Sequence, residues 1–303
     1  MAEILYPSGL ATLKSMLRAN SPVRRKLKQD AAVLKARLTG GLRPDPTLRW
    51  LFIFTFPNGG STAFSDLLGS SAAARRLWSN CEGQWLIPEL ADVRRRMLEK
   101  PLVSSAKLRR VWMRQAGPRG GADRVVIEKS PDNMFRWRHI RDSFADMPQT
   151  SIVFTRAPLP TVASWMGRYD WSAAASGWAG RLGMPAATRE DRLCILAELY
   201  LRRARALVAC RETADLTLSY ETLCRDPAIC LRKIADLEPL LKDVDPTALL
   251  NVKDYKPRPL RNMNEQSVAK LLPEDRAVLQ AYFDSTGAAL LADLGYPGGE
   301  AQV

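Results

Sequence analysis

Residues 51–62 read Leu-Phe-Ile-Phe-Thr-Phe-Pro-Asn-Gly-Gly-Ser-Thr. An apolar, aromatic run of strand character ends at Pro57. Asn58, Gly59 and Gly60 follow, then the hydroxyl residues Ser61 and Thr62. Beyond them Ala63, Phe64, Leu67 and Leu68 recur at helical spacing. Strand, glycine turn and helix N-terminus together make an anion cradle, because unpaired N–H groups and the positive end of the helix dipole both face the turn. A phosphate suits it. The loop is not a Walker A loop, since the pattern Gly-x-x-x-x-Gly-Lys-Ser/Thr is absent and no lysine precedes Ser61.

Working outward, residues 151–169 hold a second strand–turn–helix signal. The run Ser151-Ile-Val-Phe-Thr155 ends in Arg156, and a proline-containing turn then opens a helix carrying Ser164. An arginine at the C-terminal end of a strand lies where open α/β sheets bind ligands, and its planar fork matches phosphate oxygens. Between these segments, Val125-Val126-Ile127-Glu128 reads as a third strand that runs into Lys129, Ser130 and Pro131. Strands are expected near 50–56, 124–129, 151–156 and 216–220, with helical patterns between them. That alternation predicts an α/β fold with a central parallel sheet flanked by helices in three layers.

Taken in order, these elements resemble the sulfotransferases that use 3′-phosphoadenosine 5′-phosphosulfate (PAPS). Pro57 to Thr62 are similar to the family's 5′-phosphosulfate loop, and Arg156 with Ser164, eight residues later, to its 3′-phosphate motif. Glu128-Lys129-Ser130-Pro131 looks like a segment of the carbohydrate and tyrosylprotein branches. Leu218-Ser219-Tyr220-Glu221-Thr222-Leu223 with Asp226-Pro227, and the ending Leu294-Gly295-Tyr296, also have counterparts. The resemblance covers roughly residues 50–297. It implies a P-loop-like sulfotransferase architecture and an enzyme that transfers a sulfuryl group from PAPS to a hydroxyl or amine of an unidentified acceptor: carbohydrate, peptide or small molecule. It also implies cofactor contacts at Asn58, Gly59, Gly60, Ser61, Thr62, Arg156, Ser164 and Tyr220, with no metal. One position departs from the pattern. The loop residue that is usually Lys or Arg is Asn58, which donates a hydrogen bond but brings no charge. Lys129 is the residue expected to supply the cation, with Arg258 and Arg261 of the late basic stretch 253–261 as further candidates.

Sulfuryl transfer also needs a base. The single histidine, His139, falls on an expected helix away from the sheet edge, so a carboxylate is the better candidate. Glu82, in Asn80-Cys81-Glu82-Gly83-Gln84-Trp85-Leu86-Ile87-Pro88, resembles a segment of tyrosylprotein sulfotransferases that carries a glutamate base. Glu89 and Glu128 are the alternatives. Two other functions stay open at this point: a P-loop-type phosphotransferase, and a non-catalytic nucleotide-binding or scaffold protein on the same fold.

The net charge of +13 suits anionic partners. No RNP or zinc-finger pattern accompanies it, so nucleic acid is not expected, and PAPS is itself strongly anionic. Residues 1–48 carry nine Lys/Arg against three acids, a net of +6, and Leu10, Leu13, Met16 and Leu17 recur at helical spacing. A basic helical extension packing on the domain is expected there, with peripheral contact to anionic lipid as the sharper reading. The domain is expected to span 49–297 after the linker Leu42–Pro46, and 298–303 to form a tail. Five cysteines without a Cys-x-x-Cys pair read as reduced thiols. With neither an apolar leader nor a run of 18 apolar residues, a cytoplasmic protein is expected. Thr188 with Asp191 predicts a helix start, and residues 170–187, which hold Trp171 and Trp178 without a clear period, read as a loop.

Overall fold

The computed structural model describes residues 47–299, apart from 79, 93, 94, 96, 118–123, 168, 169 and 253–255. The expectations for residues 1–46, including the basic amphipathic helix and the linker, lie outside the described residues, as do residues 300–303 of the tail.

Strand β1 (Arg49–Thr55) leads through the 56–60 loop to helix α1 (Ser61–Leu68). A short strand β2 (Ala74–Arg76) follows, then a 3₁₀ turn at Gly83–Leu86, α2 (Pro88–Ala91) and α3 (Ser105–Ala116). Strand β3 (Val125–Glu128) passes through a 3₁₀ segment at Pro131–Arg136 into α4 (Trp137–Asp142). Strand β4 (Gln149–Thr155) is followed by α5 (Pro158–Met166), α6 (Trp171–Leu182) and α7 (Arg189–Arg211). Strand β5 (Leu216–Ser219) turns directly into α8 (Tyr220–Arg225) and α9 (Pro227–Leu237). The last helices are α10 (Asn264–Val268), α11 (Pro273–Tyr282) and α12 (Ala288–Asp293).

The five strands form one sheet in the order β2-β3-β1-β4-β5, and every pairing is parallel. Both faces of β1 are buried, as a central parallel strand requires. Its alternation divides the core. Trp50, Phe52, Phe54 and Phe56 pack to one side with Trp112, Phe144 and Tyr200. Leu51 and Ile53 pack to the other with Phe64, Leu67 and Leu68 of α1. The expected three-layer α/β fold is therefore present. Because the chain fills one side of β1 with β2 and β3 before crossing to β4 and β5, the strand order reverses at β1. Ligands bind at such a reversal, outside the carboxyl ends of the strands.

Two expectations need correction. Residues 170–187 are mostly helical rather than a loop: α6 starts from Asp170, whose side chain accepts from the Ala173 amide, and stops at Gly183 in the left-handed conformation. Ala175 is its buried residue, and Trp171, Trp178 and Leu182, on the same face at helical spacing, pack partly against the core; the small residues between them obscure that period in the sequence. The edge strand β2, Ala-Arg-Arg, was not expected from its polar sequence. By contrast, Thr188 caps α7 in a full capping box with Asp191.

Candidate functional site

The loop after β1 turns sharply. Asn58 has φ 55° and Gly60 φ 88°, both in the left-handed region. Asparagine tolerates that region better than most residues. Gly60 is required twice over, since a Cβ there would also lie 2.3 Å from the Tyr220 ring. No acidic residue occupies the first turn of α1, so the positive end of its dipole is left uncompensated. Trp165 Nε1 donates to the Pro57 carbonyl at 2.6 Å and pins the turn from α5.

Two cations reach this loop from opposite sides. Lys129, 1% exposed at the end of β3, donates from Nζ to Thr62 Oγ1 at 3.0 Å and to Glu82 Oε1 at 2.9 Å. Arg156, 4% exposed at the end of β4, donates from Nη1 to the Asn58 carbonyl at 2.9 Å and to Ser164 Oγ at 3.2 Å. The Tyr220 ring covers its guanidinium at 4.7 Å. The residues singled out from sequence thus gather around one loop, with Lys129 and Glu82 at one end and Arg156, Ser164 and Tyr220 at the other.

Glu82 also accepts from Trp85 Nε1 at 2.6 Å and Gln84 Nε2 at 3.3 Å. Burial alone would raise its carboxyl. The Lys129 ammonium and these donors outweigh burial and hold it below the usual carboxylate range. Glu82 is therefore ionised at neutral pH, the form that accepts a proton.

Neither alternative acid stands in the same position. Glu89 pairs with Lys107 of α3. Glu128 is fully buried and works as a tie: its Oε1 accepts from the Gly83 and Ser130 amides at 3.1 and 3.0 Å and from the Ser130 hydroxyl, and its Oε2 accepts from Asn133 at 2.9 Å. Ser130 Oγ takes the Gln84 amide, and the Cys81 carbonyl takes the Lys129 amide. These bonds fasten the turn that carries Glu82 to the end of β3. Burial pushes the Glu128 carboxyl up to about 7, although the donors around it pull the other way.

Sequence reasoning missed the groups that face Arg156 from the end of the chain. Nε donates to Asn264 Oδ1 at 2.9 Å, and Nη2 to Ser267 Oγ at 3.3 Å. Arg258 and Arg261, expected as closing cations, instead reach the Met263 sulfur, at 3.8 and 3.1 Å. The available signal was the i, i+3 spacing of Asn264 and Ser267, which sets both on one helix face. Glu221 is a second omission. It accepts from the Ala157 amide at the start of α5, from Asn264 Nδ2 and from Tyr296 Oη, tying the Arg156 end to the segment just after α12.

Among the described residues, no cluster of three or more His, Cys, Asp or Glu side chains forms a metal site, and no helix is long and apolar enough to cross a membrane. The five cysteines are free thiols.

No protein-family model and no curated protein matches the chain. Among solved structures it is similar to the sulfotransferase STF9 from Mycobacterium avium, at 14% identity, covering 87% of this chain and 82% of that one, with a TM-score of 0.46. It is similar to the sulfotransferase domain of the Synechococcus PCC 7002 olefin synthase at 18% identity, covering 80% and 95%, with a TM-score of 0.43. A retinol dehydratase solved with androsterone and the inactive cofactor PAP matches at 12% identity, covering 86% and 85%, with a TM-score of 0.39. At these values the functional argument rests on the residues of the site itself.

Proposed function

We propose that this chain is a PAPS-dependent sulfotransferase. The observation that carries the reading is that two buried cations, Lys129 and Arg156, touch the two ends of one glycine loop at a helix N-terminus, at Thr62 and Asn58. Two cationic points joined by an anion cradle suit a nucleotide with two separate phosphate groups. In this reading Asn58, Gly59, Gly60, Ser61 and Thr62 hold the 5′-phosphosulfate. Arg156 and Ser164 hold the 3′-phosphate, and Tyr220 backs the arginine. The acceptor oxygen or nitrogen attacks sulfur, the bond from sulfur to the phosphate oxygen breaks, and Glu82 takes the acceptor proton. Lys129 offsets charge on the leaving phosphate in place of the cation that Asn58 lacks. The acceptor is an alcohol or amine, and the membrane contact of residues 1–48 stays a proposal of the sequence.

A second reading is favoured by a specific observation. Lys129, the cation at the Thr62 end of the loop, is already engaged by Glu82, and Asn58 adds no charge, which suits a protein that binds the nucleotide without turning it over. Titration with 3′-phosphoadenosine 5′-phosphate and with adenosine 5′-phosphate, followed by a labelled-sulfate transfer assay, separates these outcomes. Arg156→Ala is expected to weaken the bisphosphate by about 2–4 kcal/mol, roughly 30- to 1000-fold, and to leave the monophosphate nearly unchanged. Equal losses for both ligands in a folded protein would remove the 3′-phosphate assignment. Binding without transfer to any acceptor would select the non-catalytic reading.

A further inference from the structure

Arg156 is buried, yet its acceptors are the Asn264 amide oxygen, the Ser164 and Ser267 hydroxyls and the Asn58 carbonyl, all of them neutral. Two of the four come from α10, and the Ser267 and Ser164 hydroxyls lie 3.3 Å apart. The segment before α10 is latched to the same place. Tyr220 Oη donates to the Arg261 carbonyl at 2.9 Å and accepts the Met263 amide at 3.1 Å, and Asn264 Nδ2 donates to Glu221 at 2.7 Å. Polar contacts hold this strap. None of α10's five residues is fully buried, and Val268 packs only partly against the core. A cavity of about 790 Å³ flanks the helix, lined among others by Leu159, Pro160, Val268, Leu271 and Ala277. On that side α10 faces open space rather than packed core.

Resting on the nucleotide reading above, we propose that residues 261–267 form a self-occupying strap: Asn264 and Ser267 sit on Arg156 where a ligand phosphate belongs, and binding requires their displacement. The exchange is favourable when the incoming group is a phosphate, because the buried guanidinium then gains an opposite charge and paired hydrogen bonds that separate neutral oxygens do not give it. A ligand without that phosphate gains nothing from opening the strap. The latch therefore rejects nucleotides that lack it, and it lowers apparent affinity by the fraction of molecules closed.

Two measurements test this with the full chain. The double variant Asn264→Ala/Ser267→Ala is expected to bind 3′-phosphoadenosine 5′-phosphate roughly tenfold more tightly than wild type, the change for a strap closed in about nine molecules of ten. Ser164→Cys/Ser267→Cys joins strap to α5 by a disulfide. Its oxidised form is expected not to bind, and reduction of the same sample to restore binding to the level of Ser164→Cys alone, which carries the loss of the Ser164 hydroxyl. Unchanged or weaker binding by the alanine variant, or equal binding by the oxidised and reduced forms, overturns the strap while the nucleotide reading stands. If wild type, alanine variant and reduced protein all ignore adenine nucleotides, the nucleotide reading falls instead. Inorganic pyrophosphate then carries the same comparison: gain on removing Asn264 and Ser267 supports the strap, and equal binding by all forms, or by none, overturns it.

Discussion

Two buried cations end strands on opposite sides of β1, and they are treated differently. Lys129 meets a carboxylate, Glu82, whose remaining oxygen is held by Trp85 and Gln84. Arg156 meets neutral oxygens, half of them on a polar strap near the end of the chain. The contrast separates two uses of buried charge. An ion pair with both partners hydrogen-bonded is held in one place and is costly to break from either side. A guanidinium satisfied by neutral groups keeps its charge for an anion still to come. Burial draws Arg156 below its ordinary basicity, against the pull of Tyr220 and Glu221, so a phosphate would relieve a cost that the protein alone leaves standing.

The sharpest way to break the comparison is to delete each cation in turn. Lys129→Ala strands the buried Glu82 carboxylate and is expected to cost about 3–5 kcal/mol of stability. Arg156→Ala strands only neutral acceptors and is expected to cost about 1–3 kcal/mol. Urea unfolding of both variants gives the two numbers. Equal losses would mean that the ends are not different in kind. Replacing both Glu82 and Lys129, as Glu82→Gln/Lys129→Met, should recover much of the first loss.

A comparable effect is read by pH. Burial raises the Glu128 carboxyl, which fastens the Glu82 turn, to about 7 from its ordinary value of 4.5. A carboxyl whose folded value is raised stabilises the fold below the unfolded value, and that contribution disappears as pH climbs through the folded one. Stability is therefore expected to fall by about 3 kcal/mol between pH 4.5 and somewhat above 7. Glu82 works with the opposite sign: its lowered value gives stability present above pH 4.5 and lost as pH drops through the folded value. Unfolding midpoints from pH 5 to 8 should decline in wild type, and the decline should flatten in Glu128→Gln. A flat wild-type profile would remove Glu128 as a titrating tie.

The smallest expected effect is at Asn58. Asn58→Lys places a long side chain at φ 55° and is expected to cost about 1–2 kcal/mol in backbone strain. Transfer should change little if Lys129 already supplies the charge. A large gain in activity would instead show that the Lys129 end was incomplete.

Much of this was legible in the chain because the signals were local. Strands β1, β3 and β4 are apolar runs ending at Pro57, Lys129 and Arg156, and each lies within two residues of its expected position. Helix α1 follows from Phe64, Leu67 and Leu68, and α7 from its capping box. Strand β2 was not legible, since Ala-Arg-Arg has no apolar face, and α6 was passed over because small residues surround the Trp171, Ala175, Trp178 and Leu182 that form its packed face. At the site the cations could be found, but their partners could not. A search for closing charge pointed to Arg258 and Arg261, whereas the neutral Asn264 and Ser267 hold Arg156.

By itself the sequence determined what short-range physics decides. A glycine accepts the left-handed turn at residue 60. Apolar alternation makes β1 a two-faced central strand, and cations stand at the ends of β3 and β4. Tertiary structure decided which charges meet. Glu82 and Lys129 are 47 positions apart, and Arg156 and Ser267 are 111 apart. They come together only because the order β2-β3-β1-β4-β5 sets β3 and β4 on either side of one loop. The strength of such a charge depends on how much water its neighbours remove and which donors and acceptors they return, and no local pattern of residues encodes that.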